Sequence, residues 1–347
     1  MNDTTGRILE LLKAGGEYLS GEAIGAQLGI SRSAVWKHVR DLKEAGYGIV
    51  SSPKKGYGLR AAANIPSAAE VTPHLKTRTL GRRIEYLATV DSTNRAAGEL
   101  ARQGAVEGTV VVADAQTAGR GRMGRQWVSP PGANLYFSVL LTPNVEPARV
   151  PQLALVAAVA VHEAIAACCP EAAALIKWPN DILVGGRKVA GILCEASMEA
   201  DRVHRVILGI GINVNGASVP RELRAIATTL RSEGGQEVSR PALLGAVLNH
   251  LEPRYRSWLR EGSLTGLLAY YERHSALDGR QVSAENLSGV VRGTARGITP
   301  TGELVLQTAA GALVHLLAGD VHLLPQAAPP EVRPGRRAKS TAGQGAP

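Results

Sequence analysis

The stretch QTAGRGRMGRQW, Gln116–Trp127, places three arginines on a glycine-rich backbone. Glycine gives such a segment wide conformational freedom, and the guanidinium groups of Arg120, Arg122 and Arg125 each present paired donors to an anion. We therefore predict a flexible loop that becomes ordered over a phosphate or a carboxylate. The alternative is a solvated surface loop. Trp127 either packs in the core or flanks a ligand ring.

Two common nucleotide-binding motifs are excluded around this loop. The glycines at 119, 121 and 124 match the GxGxxG spacing. However, that motif needs a helix opening at its last glycine and an acidic residue about 20 positions further on. Here the sequence RQWVSPP follows, and residues 139–144 contain no acid. A P-loop is excluded as well, because the chain contains no Gly-Lys-Ser/Thr.

Other polar groups interrupt the apolar sequence on both sides of the loop. Residues 91–94 read DSTN, and either Asp91 or Ser92 caps a helix there, or the polar groups bind a ligand at a helix N-terminus. Residues 177–181 read KWPND, where Asn180 and Asp181 are either turn residues or ligands of magnesium and a nucleotide.

Lys188 lies alone in an apolar run, either as an edge-strand lysine or as a charge for a ligand. The sequence GIGINVN at 209–215 predicts a strand whose glycines allow a ligand to approach the backbone closely.

The N-terminal 62 residues predict a winged helix-turn-helix domain. The pattern indicates helices over 6–14, from Ser20 to Gly29 and from Ser31 to Gly46, followed by a hairpin turning at Pro53–Gly56. The third helix would enter the DNA major groove and present its polar residues there. The hairpin, which is the wing of this fold, would contact phosphates. We predict these DNA contacts: Ser31, Arg32, Ser33, Lys37, Arg40, Lys54 and Lys55. The alternative is a helical dimerisation module.

The rest of the chain predicts an α+β domain and a small β-barrel. After a linker at 61–66, strands are predicted at 84–88, 109–113, 134–141, 174–177, 182–184, 188–196 and 205–214, and helices at 92–103, 148–168 and 240–260. Their spacing predicts a mostly antiparallel sheet with helices on one face. This central domain spans 67–275, the barrel spans 277–325, and the Ala-, Pro-, Gly- and Arg-rich residues 326–347 are predicted to be disordered.

Composition favours an intracellular protein with anionic partners. The 347-residue chain carries a formal charge of +9, which favours nucleic acid or phosphate partners. Its three cysteines show neither metal-ligand spacing nor a disulfide framework. The N-terminus lacks a signal-peptide pattern, and the apolar helix predicted near 150–169 contains polar residues typical of a buried helix. We expect a cytoplasmic protein with no membrane association.

The motifs GRGRxGR, KWPND, KxAGIL and GIGINVN occur in this order and resemble those of the biotin–protein ligases, in particular the bifunctional type that is also the biotin operon repressor. The resemblance implies a central domain similar to class II aminoacyl-tRNA synthetases and an SH3-like C-terminal barrel. It implies three ligands, ATP, biotin and Mg²⁺. Met123 departs from relatives that carry a basic residue there, which weakens attraction of the loop for phosphate.

The resemblance also implies roles for individual residues. Lys188, Arg120 and Arg122 would be catalytic, with Lys188 between the carboxylate and the α-phosphate. Biotin contacts would be Ser92, Thr93, Asn94, Gln116, Arg120, Gly121, Arg122, Lys188 and Gly191. Nucleotide contacts would be Arg122, Arg125, Trp127, Lys177, Asn180, Asp181 and Asn213. Asp181 would also hold the Mg²⁺ ion, and Trp127 would stack on adenine.

The activity implied is ATP-dependent activation of biotin and its transfer to the biotin carboxyl carrier protein of acetyl-CoA carboxylase. The partners implied are this carrier, operator DNA and a second copy of the chain when biotinyl-5′-AMP is bound. Three alternatives stay open: a ligase without repressor activity, a repressor with a non-catalytic sensor domain, and a ligase for lipoate or another carboxylate.

Overall fold

The structure is a computed structural model that describes residues 3–44, 46–61, 64–199, 202–216, 219–286 and 289–324. Its helices are α1 (Asp3–Ala14), α2 (Gly21–Leu28), α3 (Arg32–Glu44), α4 (Ala68–Val71), α5 (Thr93–Arg102), α6 (Val150–Cys168), α7 (Leu230–Gly234), α8 (Arg240–Glu261) and α9 (Leu268–Arg273). Its strands are β1 (Gly48–Ser52), β2 (Gly56–Ala61), β3 (Ile84–Val90), β4 (Val110–Gln116), β5 (Leu135–Leu141), β6 (Leu175–Lys177), β7 (Asp181–Val184), β8 (Arg187–Glu199), β9 (Arg202–Ile212), β10 (Gln281–Asn286), β11 (Gly289–Ile298), β12 (Leu304–Gln307), β13 (Leu313–Leu316) and β14 (Asp320–Leu323).

The first three helices and the β1–β2 hairpin form a separate N-terminal unit, as the sequence predicts. The Ser20 hydroxyl accepts from the backbone N–H of Ala23 at 3.0 Å, and Gly29 ends α2 in the left-handed region. Ser31 caps α3 in the same way. Val35, Val39 and Leu42 of α3 are buried against α1, which leaves the opposite face of α3 in solvent.

The segment that follows is anchored to the central domain. Residues 62 and 63 of the predicted linker lie outside the described residues. The side chain of Asn64 donates to the backbone oxygen of Val238 and accepts from the backbone N–H of Arg240. The Arg240 guanidinium is buried, donating to the Asn64 backbone oxygen at 2.7 Å and to Asp114 at 2.8 Å.

A second contact joins α1 to α4. The carboxylate of Glu70, only 6% exposed, accepts hydrogen bonds from Lys13 at 2.6 Å and from the Tyr47 hydroxyl at 2.9 Å. Burial together with the Glu70 charge raises the pKa of Tyr47 far above its usual range. The N-terminal unit is therefore held against the central domain by a half-buried ion pair as well as by the chain itself.

Seven described strands of the central domain form one sheet in the order β3-β4-β5-β9-β8-β7-β6. β3 pairs parallel with β4, and the other neighbours pair antiparallel, so the predicted mostly antiparallel sheet is confirmed. A turn at Gly185 and Gly186 joins β7 to β8, and both glycines have positive φ, 56° and 75°.

Helices cover both faces of this sheet, so the prediction of helices on one face is wrong. α6 and α8 share a core with Val110 and Val112 of β4. Ala97 of α5 instead packs with Val111, whose side chain points to the other face because strand side chains alternate. The run VVVA in β4 is apolar on both faces, so its pattern cannot tell which face a helix covers.

α6 is the central core helix. The segment Pro147–Cys168 is long and apolar enough to cross a bilayer by composition, but 67% of its apolar window is buried inside the fold. His162 is also buried, with its ring nitrogens bonded to the Tyr270 hydroxyl and to the Ala174 backbone oxygen, both at 2.8 Å.

The last domain is a five-stranded antiparallel sheet among the described residues, in the order β13-β12-β11-β10-β14. The Trp178 indole, 1% exposed, donates to the backbone oxygen of Gly302 at 2.9 Å, which joins this sheet to the central domain. The predicted disordered tail, 326–347, lies outside the described residues.

Candidate active site

A cavity of about 670 Å³ opens over β8 and β9. All of the residues that the sequence assigns to biotin or to the nucleotide line it, although they come from segments more than a hundred residues apart: Ser92, Thr93, Asn94, Gln116, Arg120, Gly121, Arg122, Arg125, Trp127, Lys177, Asn180, Asp181, Lys188, Gly191 and Asn213. The fold thus brings the predicted set together in one place.

One end of the cavity is polar. Thr93 donates from its backbone N–H to Oε1 of Gln116 at 2.9 Å, and Ser138 donates to Oδ1 of Asn94 at 2.6 Å. Ser92 is the N-cap residue of α5, but its hydroxyl makes no cap hydrogen bond. The buried Ser92 hydroxyl is therefore left for another partner.

Two glycines of β8 and β9 form the floor beneath Trp127. A Cβ atom added to Gly211 would lie 2.6 Å from the indole, and one added to Gly191 would lie 3.0 Å from it. The ring therefore lies directly on the strand backbone. Its Nε1 is buried and lacks a hydrogen-bond partner within the described chain.

Lys188 projects from β8 beside this ring. Its ammonium lies 2.6 Å from Oδ1 of Asp181 and 5.3 Å from the centroid of the Trp127 ring. The edge-strand role considered for Lys188 fails, because β8 lies between β7 and β9 and is not an edge strand.

Two further cations are held with little compensating charge. Burial lowers the pKa of the Arg122 guanidinium, against a raising effect of the Asp181 charge. Burial also lowers the pKa of Lys177, and the charges of Lys188 and Arg125 lower it further. The neutral partner of Arg122 is Oδ1 of Asn180, at 3.1 Å. These cations gain stability from any anion that enters the cavity.

The segment Gln116–Trp127, here called the arginine loop, forms a tight hairpin over the opening. The backbone N–H of Gly121 donates to the oxygen of Arg125 at 2.7 Å, and Met123 adopts a φ of 55° at the tip. Arg120 is exposed and has no hydrogen bond or ion pair within the described residues. Arg125 pairs with Asp320 of β14, so the loop contacts the C-terminal sheet.

Several residues of the site were not predicted. Asp320 and its neighbours up to Leu323 line the cavity, and nothing in their local sequence indicates that. Ser138 is fully buried and bonds both Thr93 and Asn94. It is the polar residue in the otherwise apolar β5 sequence LYFSVLL, and this interruption is a signal that could have revealed it.

The predicted DNA-contacting residues lie on the exposed side of the N-terminal unit: Ser31, Arg32, Ser33, Lys37, Arg40, Lys54 and Lys55. Trp36, which was not predicted, is 54% exposed on α3. The Arg40 guanidinium stacks on it, 5.3 Å from the centroid of the ring. Arg40 also lies 3.6 Å from Glu44, which offsets part of its charge.

Three parts of the chain match known protein families. Residues 86–213 match the biotin/lipoate A/B protein ligase family, residues 5–58 an HTH domain and residues 279–324 the biotin protein ligase C-terminal domain. The chain is 42% identical to the bifunctional ligase/repressor BirA of Bacillus spizizenii, over 91% of this chain and 97% of that protein.

It is 32% identical to the bifunctional ligase/repressor BirA of Escherichia coli, over 85% of this chain and 90% of that one. The biotin protein ligase from Aquifex aeolicus, solved in complex with biotin and ATP, superposes with a TM-score of 0.61 and 33% identity. It covers 70% of this chain and 99% of its own.

Proposed function

We propose that this chain, which belongs to the family of bifunctional biotin protein ligase/repressors, joins biotin to a protein lysine at the expense of ATP and represses biotin genes. The observation that carries the ligase activity is the cavity itself. It combines a polar end, a stacking indole and five cationic side chains, Arg120, Arg122, Arg125, Lys177 and Lys188, against the two carboxylates of Asp181 and Asp320.

In the first step the biotin carboxylate attacks the α-phosphorus of ATP. A phosphorus–oxygen bond forms, the bond to the β-phosphate oxygen breaks, and biotinyl-5′-AMP and pyrophosphate result. Two anions must approach each other, so their repulsion is a main part of the barrier. We assign Lys188, Arg120 and Arg122 to reducing that repulsion, because positioned cations stabilise charge as it develops in the transition state.

The bicyclic end of biotin is assigned to the polar end of the cavity, near Ser92, Thr93, Asn94 and Gln116. The carboxylate end then reaches Gly121, Gly191 and Lys188. The nucleotide is assigned to the opposite side, with its adenine stacked on Trp127. Its sugar and phosphates would contact Arg125, Lys177, Asn180, Asp181 and Asn213. Nδ2 of Asn213 donates to the backbone oxygen of Thr228 at 3.1 Å, so its side chain is held in place for such a contact.

We assign Mg²⁺ to Asp181. No cluster of three His, Cys, Asp or Glu side chains that could hold a metal occurs in the described ranges. Mg²⁺, however, is commonly held by one or two carboxylates together with substrate phosphates, and Asp181 faces the cavity beside Lys188. When bound, the ion would supply positive charge to the phosphates.

In the second step a lysine amine of the carrier protein attacks the acyl carbon of the adenylate, and AMP leaves. Water would hydrolyse this mixed anhydride. We expect residues 116–128 to close over it and exclude solvent. The partner expected from the relatives' activity is the biotin carboxyl carrier protein of acetyl-CoA carboxylase, and the expected location is the cytoplasm, away from membranes.

The N-terminal unit is assigned to operator DNA, with α3 in the major groove and Lys54 and Lys55 of the wing on phosphates. We expect bound biotinyl-5′-AMP to favour a homodimer that binds a two-fold operator more tightly than the monomer does. We also propose that the fold of the central domain resembles that of class II aminoacyl-tRNA synthetases. The C-terminal sheet is proposed to be an SH3-like barrel.

The test is incubation of the protein with ATP, biotin and a carrier domain, followed by mass spectrometry of that domain. A mass gain that needs both ATP and biotin supports the ligase, and replacement of biotin by lipoate tests the alternative substrate. No gain with either acid would favour the non-catalytic repressor. A gel shift with the chain's own biotin-gene promoter, with and without ligands, separates the bifunctional protein from a ligase alone.

A further inference from the structure

Glu195 contacts the polar end of the cavity from the outside. Its side chain is exposed, and Oε2 accepts a hydrogen bond from Nδ2 of Asn94 at 2.6 Å. Asn94 is 7% exposed, and its Oδ1 would lie only 2.1 Å from a Cβ atom on Gly209. The amide is therefore packed tightly against β9 and has little freedom to shift.

A carboxylate accepts hydrogen bonds and donates none when ionised. Glu195 therefore requires the NH₂ group of Asn94 on its own side, and the carbonyl oxygen must face Ser138. The Ser138 hydroxyl, fully buried, then donates to that oxygen at 2.6 Å. The same hydroxyl lies 2.8 Å from Oγ1 of Thr93, whose own proton is directed to Oε1 of Gln116 at 3.2 Å.

The directions of the Asn94–Glu195 and Ser138–Asn94 hydrogen bonds follow from the one charged group at the end of this chain. With the amide reversed, Asn94 would place its NH₂ group against Ser138, and the Ser138 hydroxyl would have to turn. A buried polar group without a partner costs far more than an exposed one, so the surroundings strongly favour one arrangement.

We propose that Glu195 is a positioning residue that fixes the donor–acceptor pattern offered to the cyclic urea of biotin; this rests on the function proposed above. A cyclic urea carries N–H donors beside a carbonyl acceptor. Asn94, held in this orientation, has a second N–H and a second oxygen lone pair left for it. A sulfur ring without such groups gains nothing from this arrangement, so Glu195 favours biotin over a lipoyl-type acid.

Three variants of Glu195 separate this role from others. Glu195→Gln keeps an acceptor for Nδ2, Glu195→Ala removes it, and Glu195→Lys puts a donor there that requires the reversed amide. We expect the KM for biotin to be near native in the Gln variant, raised several-fold in the Ala variant, and raised on the order of 10-fold or more in the Lys variant. The KM for ATP should stay unchanged, with both constants measured by pyrophosphate release.

The matched control is Glu99→Lys, a charge reversal at an exposed position on the same helix as Asn94. An unchanged KM for biotin in Glu195→Lys would overturn the proposal. So would an equal rise in all three variants, or a parallel rise in both KM values with a lowered Tm, since each indicates a general effect of charge or folding. Absence of biotin-dependent pyrophosphate release in the unaltered protein would instead refute the ligase function.

Discussion

Lys188 contacts both the carboxylate of Asp181 and the indole of Trp127. Its replacement by alanine removes a cation from between the two reacting anions. Loss of one such charge typically costs about 3–4 kcal/mol in the transition state. We expect Lys188→Ala to slow adenylation on the order of 100-fold or more, measured as the rate of pyrophosphate release.

The control is Lys76→Ala, which removes a lysine charge at an exposed position outside the cavity. Near-native pyrophosphate release by Lys188→Ala would refute the assignment.

Lys188 was recognisable in the sequence as a charge in an apolar run. Its ion pair with Asp181 was not, because it depends on the register between β7 and β8.

At the scale of the element, two glycines of β9 leave room for the side chains of Asn94 and Trp127. Alanine at Gly211 would place a Cβ 2.6 Å from the Trp127 ring, and alanine at Gly209 would place one 2.1 Å from Oδ1 of Asn94. Overpacking of this kind costs about 1–3 kcal/mol. We expect Gly211→Ala to raise mainly the KM for ATP and Gly209→Ala mainly the KM for biotin, each by about 10-fold.

Each of these variants is the control for the other, because they lie two residues apart on one strand and point to the same face. If both variants raised the same KM, the separate assignment of the two ends of the cavity would be contradicted.

The buried histidine of α6 makes the fold sensitive to acid. Burial lowers the pKa of His162, whereas an unfolded histidine has a pKa of about 6.5. As the pH falls through that value, the unfolded chain takes up a proton that the folded chain does not, so the free energy of unfolding decreases. Urea unfolding at pH 7.5 and 5.5 should show a smaller decrease for His162→Gln than for the native protein.

The comparison for this prediction is His204→Gln, since His204 is exposed on β9. It should leave the pH dependence of unfolding as it is in the native chain. An equally steep decrease in His162→Gln would assign the acid sensitivity to other groups.

Most elements of the central domain were predictable to within a few residues. β8 and β9 contain the apolar runs VAGILC and VILGIGI, and in the N-terminal unit Ser20, Gly29 and Ser31 mark helix ends directly. The position of α5 on the opposite face was not predictable, because its neighbour β4 is apolar on both sides. The parallel pairing of β3 with β4 was also beyond local patterns, since it depends on the α5 crossover.

At the scale of the molecule, the ion pair between Arg125 and Asp320 links the arginine loop to β14. Removal of the Asp320 charge should free the arginine loop. We expect Asp320→Asn to increase the rate of trypsin cleavage within residues 116–128, as measured by mass spectrometry of the fragments. Biotin and ATP together should protect the loop in both the variant and the native protein.

Asp278→Asn, a similar change at an exposed site of the same C-terminal region, should leave the cleavage rate unaltered. Equal cleavage in Asp320→Asn and the native chain would show that the pair does not restrain the loop. A loop that biotin and ATP fail to protect would count against closure.

The motifs predicted the loop and its ligands. The pairing with Asp320 was not predictable, because two domains must first fold and meet.

The anchoring of Asn64 decides where the two halves of the chain can be cut. A ligase fragment that begins at Asn64 retains the bonds to Val238 and to Arg240. A fragment that begins at residue 67, the boundary the sequence suggests, deletes these partners and leaves the buried Arg240 with fewer acceptors. Engineers who shorten the protein to its enzymatic half should therefore keep this asparagine as the first native residue.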